Sequence, residues 1–158
     1  MTRDRRRRQD GPRRTGFTLV ELLVVIAILG ILVSLVTAGA QAARRRGSVT
    51  KAKATIAGIE TAIAMYHGDL STYPPTGNAT LVTALSEGSG EADWMGPYME
   101  FKSEDLQAGE LVDPWGKPYV YVSVNGGSPS HRQRSYDLSS LGPDGKDGQG
   151  AGDDIVNW

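Results

Sequence analysis

The stretch GFTLVELLVVIAILG, residues 16–30, decides the fold of this chain. It follows an arginine-rich head and opens an apolar run, Phe17 to Val36, that holds fifteen Leu, Ile, Val or Phe residues and one acid. On an insertion scale these side chains contribute about −4.5 to −9 kcal/mol, against at most about 3.5 kcal/mol for the acid. A helix of this length covers about 30 Å, the thickness of a hydrocarbon core. The run therefore predicts a membrane-spanning helix.

The acid in this run, Glu21, needs a neutralising partner if it lies in lipid. A cut between Gly16 and Phe17 would create an α-amine four residues before Glu21, one helical turn away on the same face. A helix N-terminus is also the favourable end for a negative charge. We expect the amine of the same or a neighbouring subunit to pair with Glu21. The alternative is a carboxylate at the lipid headgroups.

At these residues the chain resembles the type IV pilin and pseudopilin superfamily, whose leader ends in glycine before a Phe-Thr-Leu-x-Glu segment. The resemblance implies that a prepilin peptidase cuts after Gly16 and that the new terminal residue, Phe17, is methylated. It also implies that Glu21 guides subunits into a helical filament.

Two other export signals use the same stretch. Ala38-Gly39-Ala40 suits a signal peptidase, and Arg13-Arg14 could open a twin-arginine signal; either would release a soluble protein. The apolar core exceeds the usual length of about 7–15 residues for a signal peptide, and neither signal explains the acid. We therefore predict a basic leader at 1–16, a transmembrane and filament-core half-helix at 17–40, and a periplasmic globular domain at 41–158. The leader arginines hold the N-terminus in the cytoplasm.

Charge and composition exclude several classes of function. Residues 17–158 carry ten cationic and sixteen acidic side chains, which argues against nucleic acid as a partner. The chain has no cysteine, and hence no lipoprotein anchor, disulfide or thiolate metal site. Cations follow the apolar run at Arg44 to Arg46, Lys51 and Lys53. We interpret them as headgroup contacts and a solvated helix face.

Beyond the apolar run, hydrophobic residues recur at helical spacing. They are Val49, Ala52, Ile56, Ile59, Ile63 and Tyr66. The spacing predicts one helix from Phe17 to about His67, roughly 75 Å long, whose second half needs an apolar cover. Tyr73-Pro74-Pro75 ends the helical region, because proline lacks the N–H donor. We expect His67 to cap the helix end.

We expect the rest of the chain to form the apolar cover of the helix. We expect a short helix at Thr80 to Leu85, then a surface loop at Glu87 to Gln107 that Trp94, Tyr98 and Phe101 anchor. Asp113-Pro114-Trp115-Gly116 is typical of a turn and leads into a strand at Tyr119 to Val124, with a second strand at Ser135 to Ser139. The fold class is therefore α+β: a long N-terminal helix, anchor and stalk in one, packed on a small antiparallel sheet.

The segment Leu141 to Ile155 combines five glycines with four aspartates. Calcium prefers six to eight oxygen ligands, and glycine lets backbone carbonyls turn inward to supply some of them. The spacing differs from the helix-flanked calcium loop of sensor proteins, and a closing glutamate is missing. The residues alone leave two interpretations open, a calcium site and a plain solvated loop.

Four further motifs narrow the resemblance to the major pseudopilins of type II secretion systems. They are Tyr-Pro-Pro-Thr from Tyr73, Asp-Pro-Trp-Gly-Lys-Pro-Tyr from Asp113, Ser-Leu-Gly-Pro-Asp-Gly from Ser140 and Asp-Asp-Ile-Val-Asn-Trp from Asp153. The resemblance implies a pilin-like fold with a calcium loop near its end.

The resemblance also implies a set of calcium ligands. They are the carbonyls of Leu141 and Lys146 and the carboxylates of Asp144, Asp153 and Asp154. The loop is about two residues longer than is usual in these proteins, and Ala151 stands near the position of a serine ligand. Asp147 or water could take the place of that serine.

The function implied is that of a structural subunit. It would polymerise into a periplasmic pseudopilus that drives folded proteins outward, with a prepilin peptidase, minor pseudopilins and an inner-membrane assembly platform as partners. A surface pilus subunit and a released calcium-binding domain are the alternatives. No hydrolase elbow or metalloprotease motif occurs, and Ser139, Asp137 and His131 are only neighbours in a polar hairpin, so we do not expect an enzyme.

Overall fold

The computed structural model describes residues 16–88 and 90–158. Except for Gly16, the predicted leader with its twin-arginine pair lies outside the described residues, as do the side chains of Ala38 and Gly39 in the candidate signal-peptidase site. The chain divides into two compact units, Met1–Ala42 and Ala43–Trp158. The hydrophobic core formed by described residues lies in the second unit.

One continuous helix, α1, spans Leu19–Leu70 and covers 52 residues. It confirms the long predicted helix, with both ends displaced by two or three residues. At its end, the Ser71 N–H donates to the His67 carbonyl oxygen at 2.8 Å, and Ser71 has a φ of +53° in the left-handed region. The His67 ring packs on Tyr73, with centroids 4.4 Å apart, so its side chain meets an aromatic ring at the helix end.

The apolar part of α1 in the first unit has no cover from the described residues. From Leu19 to Val36 its large hydrophobic side chains are between 46% and 80% exposed. Within the described residues, α1 is the one helix long and apolar enough to cross a membrane, judged by length and composition. An exposed apolar surface of this extent is typical of a helix that contacts lipid or other protein chains.

The second half of α1 provides one side of the core. Ala52, Ile56, Ile59, Ile63 and Tyr66 are each at most 4% exposed, and Val49 packs partly buried against them. These six residues are the predicted stripe, which the structure confirms. Each successive member lies three or four positions along the helix, so the side chains share one face.

A second helix and five short strands cover this face. Helix α2 spans Asn78–Ser86 and buries Leu81 and Leu85. The strands are β1 Leu106–Gln107, β2 Glu110–Leu111, β3 Val120–Ser123, β4 Tyr136–Ser140 and β5 Ile155–Val156. They form an antiparallel β1–β2 pair and an antiparallel sheet of order β3–β4–β5.

The predicted hairpin of β3 and β4 is confirmed, with Val120 opposite Ser139 and Ser123 opposite Tyr136. Along β3, Tyr121 and Ser123 are buried whereas Val120 is exposed, as the twofold period of a strand requires. The sequence did not predict β1, β2 or β5. Each is two residues long, too short for a polar–apolar alternation to be visible.

The segment predicted as a surface loop, 87–107, is only partly that. Its aromatic residues Trp94, Tyr98 and Phe101 pack against the core as predicted, and the Trp94 Nε1–H donates to the Ala84 carbonyl oxygen at 3.0 Å. Its end differs from the prediction, because a 3-10 turn at Ser103–Asp105 leads directly into β1.

Asn78 connects α2 to strand β2 and to Tyr119, the residue that precedes β3. It is 8% exposed, and its amide nitrogen donates to the carbonyl oxygens of Leu111 at 2.8 Å and Tyr119 at 2.7 Å. Its amide oxygen accepts the Leu111 N–H at 2.7 Å. One side chain thus satisfies three buried backbone groups, which would otherwise carry a desolvation cost.

We expect Asn78→Ala to lower the free energy of unfolding by about 3 kcal/mol or more, because it leaves those backbone groups without partners. Asn78→Asp should destabilise similarly, since a carboxylate would face two carbonyl oxygens. Gln107→Ala, at an exposed amide, is the control and should change stability by less than about 0.5 kcal/mol. Urea unfolding of the detergent-solubilised chain measures all three, and equal midpoints for Asn78→Ala and Gln107→Ala would contradict this role.

Candidate functional site

Thr18 and Glu21 form a reciprocal cap at the first turn of α1. The Thr18 backbone N–H and hydroxyl donate to Glu21 Oε2 at 2.8 and 2.9 Å, and the Glu21 N–H donates to Thr18 Oγ1 at 3.2 Å. Such a capping box satisfies helix N-terminal donors that have no partner within the helix. Sequence reasoning missed it, although Thr-x-x-Glu is its typical pattern.

The cap leaves one carboxylate oxygen unused. In the part of the chain that the structure describes, no donor reaches Glu21 Oε1, because all three bonds of the cap involve Oε2 or the backbone. The carboxylate is therefore held in place by its own helix while Oε1 stays open to a further cation. The predicted pairing with a terminal amine remains compatible with this geometry and stays a prediction.

Gly16 and Phe17 precede the helix and are exposed, Phe17 to 83%. A Cβ placed on Gly16 would meet no described atom within 4 Å. The fold itself therefore does not require a glycine at this position. A requirement for glycine here would come from recognition by another protein.

The loop from Leu141 to Asp154 joins β4 to β5, and its carboxylates accept hydrogen bonds from the loop's own backbone. Asp153 Oδ2 accepts the Asp144 N–H at 3.1 Å, and Asp144 Oδ1 accepts the Lys146 N–H at 2.9 Å. Asp154 Oδ2 accepts the N–H groups of Gly148 and Gly150 at 2.9 and 3.0 Å. Three of the predicted calcium-binding carboxylates thus shape one loop.

Asp147 belongs to the same network through a local turn. Its Oδ1 accepts the Gln149 N–H at 2.8 Å. Gly142 has a φ of +64°, and a Cβ there would collide with the Asp153 backbone carbonyl, so only glycine fits this approach. The two ends of the loop therefore meet closely at Gly142 and Asp153.

The hydrogen bonding of Asp154 indicates whether this loop suits a cation. Its second oxygen, Oδ1, is buried and has no hydrogen-bond partner in the described residues. A buried carboxylate oxygen without a donor is costly unless a cation meets it. Within residues 16–88 and 90–158, no three acidic or histidine side chains converge to hold a metal. The ligand set from Leu141 to Asp154 combines carboxylates with backbone carbonyls, and it stays a prediction.

A buried polar chain fixes the start of this loop. Asp113 is 4% exposed; its Oδ1 accepts the N–H groups of Trp115 and Lys117, both at 2.9 Å. Its Oδ2 accepts the Ser140 hydroxyl at 2.6 Å, and Ser140 Oγ in turn accepts the Gly142 N–H at 3.2 Å. The sequence predicted the turn at Asp113 but gave no sign that it supports the loop.

Among the polar hairpin residues, His131 Nδ1 lies 3.5 Å from Asp137 Oδ2, and no hydrogen bond joins the Ser139 side chain to either residue in the described chain. Burial tends to raise the pKa of Asp137, but three backbone N–H bonds, from His131, Arg132 and Ser130, outweigh it and hold that pKa below its usual value. The His131 ring stacks on Trp158 at a centroid distance of 4.1 Å. Asp137 therefore organises a loop, and His131 has an aromatic partner that the sequence did not indicate.

Comparisons with known proteins show which class of protein the N-terminal residues belong to. The family described as the prokaryotic N-terminal methylation motif matches residues 11–37, which include the Gly16-Phe17 junction and Glu21. The chain is thus of the class that carries this motif in front of an apolar helix. The family described as type II secretion system protein G matches residues 40–158, and the chain belongs to that family.

Relatives extend over nearly the whole chain. The type II secretion system core protein G of Pseudomonas aeruginosa is 38% identical over 150 residues, covering 92% of this chain and 96% of the relative. That of Escherichia coli K12 is 36% identical over 147 residues, with 92% of each chain covered. A crystal structure of the major pseudopilin of enterohaemorrhagic Escherichia coli aligns with a TM-score of 0.46 at 23% identity, over 75% of this chain and 92% of that one. The family assignment depends on the sequence matches alone.

Proposed function

We propose that this chain is the major structural subunit of a type II secretion pseudopilus, without catalytic activity. It inserts in the inner membrane with its N-terminus in the cytoplasm and polymerises in the periplasm to drive folded proteins across the outer membrane. The observation that carries the proposal is the head of α1, where Gly16-Phe17 precedes a capped Glu21 and an uncovered apolar helix. The names of its whole-chain relatives favour a secretion pseudopilus over a surface fibre.

The uncovered apolar helix also supports lipid and further copies of this chain as partners. Before assembly its side chains need lipid, and after assembly they need the equivalent helices of neighbouring copies. A prepilin peptidase acts at Gly16, and minor pseudopilins and an inner-membrane platform take part in assembly. The acidic balance of residues 17–158 offers little attraction for nucleic acid.

The first prediction from this proposal concerns processing. The membrane-extracted protein should begin at Phe17 and carry one added methyl group, as read by intact-mass analysis. Gly16→Leu should remain uncut, because the fold tolerates a side chain there and only recognition would suffer. A mass that begins at Gln41 would contradict the proposal and indicate a released soluble protein.

A second prediction separates the charge of Glu21 from its capping role. Glu21→Leu should insert and be cut, because it removes a penalty in lipid, but should form few filaments. Glu21→Gln keeps a capping oxygen and loses the charge. If the charge pairs with a neighbour's amine, Glu21→Gln should assemble as poorly as Glu21→Leu. Electron microscopy of sheared filaments measures the yield, and normal yield from Glu21→Gln would reject the pairing.

The loop from Leu141 to Asp154 supports a second part of the proposal, a calcium site. The donors would be the carbonyls of Leu141 and Lys146 with the carboxylates of Asp144, Asp153 and Asp154. The buried, unpartnered Asp154 Oδ1 supports it, as do the four acids that stand against one lysine. A bound calcium ion would neutralise this charge and order a glycine-rich loop, in a domain that has no disulfide.

We expect calcium at about 100 times its dissociation constant to stabilise the chain by about 2.7 kcal/mol, on the order of 10 °C in melting midpoint. Asp144→Ala, Asp153→Ala and Asp154→Ala should each remove most of that gain, whereas Asp93→Ala, at an exposed acid outside the loop, should keep it. Melting of the detergent-solubilised full chain in EGTA and in millimolar calcium measures the shift. Identical midpoints in both would reject the metal site.

A further inference from the structure

The hydroxyl of Ser140 connects the start of the glycine-rich loop to a buried carboxylate. Ser140 is the last residue of β4, pairs with Ile155 of β5 and is fully buried. Its hydroxyl donates to Asp113 Oδ2 at 2.6 Å, and its oxygen accepts the Gly142 N–H at 3.2 Å. A hydroxyl has one proton and two acceptor lone pairs, so a proton directed to Asp113 leaves a lone pair for Gly142. Asp113 therefore orients the Ser140 hydroxyl so that its oxygen faces the loop.

The bond to Gly142 also orients the carbonyl group of Leu141. The Leu141 carbonyl and the Gly142 N–H belong to one planar trans peptide unit, in which they point in opposite directions. Because the N–H is held toward Ser140, the carbonyl oxygen points away from Ser140. That oxygen accepts no hydrogen bond within residues 16–88 and 90–158, so it is free to bind a cation. Leu141 supplies one of the two backbone carbonyls in the proposed ligand set.

The same peptide unit lies beside a second member of that set, Asp153. A Cβ placed on Gly142 would lie 3.0 Å from Asp153 Oδ2, so Gly142 abuts this carboxylate. Asp153 Oδ2 also accepts the Asp144 N–H at 3.1 Å. The chain's own hydrogen bonds therefore hold the peptide that contains the Leu141 carbonyl next to the Asp153 carboxylate.

Asp113 also stabilises a turn that contacts the loop at another point. Its Oδ1 accepts the Lys117 N–H at 2.9 Å, and its own N–H donates to the Lys117 carbonyl oxygen at 2.7 Å. The Lys117 stem lies against Gly145, since a Cβ placed on this glycine would be 3.0 Å from Lys117 Cε. The turn therefore supports the loop at Gly145 through Lys117 and at Gly142 through Ser140.

We propose that Ser140 is a positioning residue of the calcium site and that Asp113 acts through it. The Ser140 hydroxyl holds the peptide between Leu141 and Gly142 in the orientation that makes the Leu141 carbonyl available to calcium. Replacing a residue that orients a metal ligand through a hydrogen bond typically weakens metal binding by about 10- to 100-fold. The inference rests on the proposed calcium site and adds two residues that do not themselves contact the metal.

Ser140→Ala tests the positioning role directly. It removes the acceptor of the Gly142 N–H, so the peptide is no longer held in one orientation. The dissociation constant for calcium should rise about 10- to 100-fold. Isothermal titration calorimetry of the detergent-solubilised full chain measures it, at a temperature where the parent and the variants are folded.

Ser123→Ala is the matched control. Ser123 is also fully buried at the end of a strand, where its hydroxyl donates to the Pro74 carbonyl oxygen at 2.7 Å and accepts the Asn125 N–H at 3.1 Å. Both substitutions remove hydrogen bonds from buried groups, so both should lower the melting midpoint in EGTA. Only Ser140→Ala should weaken calcium binding, because the bonds of Ser123 do not reach the loop.

A double-mutant cycle tests the part assigned to Asp113. Asp113→Asn removes the acceptor of the Ser140 proton but keeps one oxygen for the turn, so it should also raise the dissociation constant for calcium. If Asp113 acts through Ser140, the two effects are not additive. Asp113→Asn should then change calcium binding of the Ser140→Ala chain by less than about twofold. Losses of affinity that multiply would overturn this part of the proposal.

Hydrogen exchange followed by NMR tests the geometry without a substitution. In EGTA the Gly142 amide of the parent chain should exchange at least about tenfold more slowly than that of Gly152, an exposed glycine of the same loop. Equal exchange rates would overturn the proposal. This measurement and the affinity of Asp113→Asn decide it if Ser140→Ala does not fold.

The parent chain separates this inference from the calcium site on which it rests. A parent that binds calcium, together with a Ser140→Ala chain that binds it equally well, would overturn the positioning role and leave the calcium site intact. A parent that binds no calcium would reject the calcium site, and the inference with it.

Discussion

The structure depends on one constraint: a single continuous helix must satisfy two different surroundings. From Leu19 to Val36 its large side chains have no cover within the described chain, whereas from Ala52 to Tyr66 one face is almost fully buried. No loop separates the exposed half from the buried half, since α1 is one unbroken helix, Leu19–Leu70. The first half is therefore stable only in lipid or among other helices, whereas the globular unit covers the second half.

That cover is small and relies on polar connections as much as on apolar burial. Asn78 bonds α2 to the backbone of β2 and of Tyr119 just before β3, and Asp113 bonds its own turn to Ser140 at the end of β4. Each bond is buried, where an unpaired polar group is costly, so each favours one arrangement of the segments that it joins. The bonds from Ser140 to Asp113 and from Gly142 to Ser140 also fix the start of the glycine-rich loop, in which Asp154 Oδ1 has no donor among the described residues.

The sequence predicts the parts of the fold that repeat and misses the parts that occur once. The apolar run and the stripe from Val49 to Tyr66 have helical periodicity over many turns, so α1 follows from the sequence to within three residues at either end. Strands β1, β2 and β5 contain two residues each and carry no period. Their places depend on contacts between residues far apart in sequence, which a local pattern does not contain.

The candidate site likewise has residues that the sequence reveals and contacts that it does not. Gly16, Phe17 and Glu21 are recognisable because they stand together in sequence, and the cap between Thr18 and Glu21 could have been read from its spacing. The support of the C-terminal loop by Asp113 joins residues 27 positions apart, and the bond from the Asp144 N–H to Asp153 joins residues 9 positions apart. Neither contact can be predicted from a local sequence pattern.

The central claim is that the apolar half-helix and the globular unit act as one subunit of a secretion filament. The most direct measurement is secretion of a folded exported protein by cells in which the gene for this chain is deleted and then supplied again. The account predicts that secretion stops on deletion, returns with the full chain, and does not return with residues 43–158 exported alone. Secretion that persists after deletion, or that residues 43–158 restore by themselves, would contradict it.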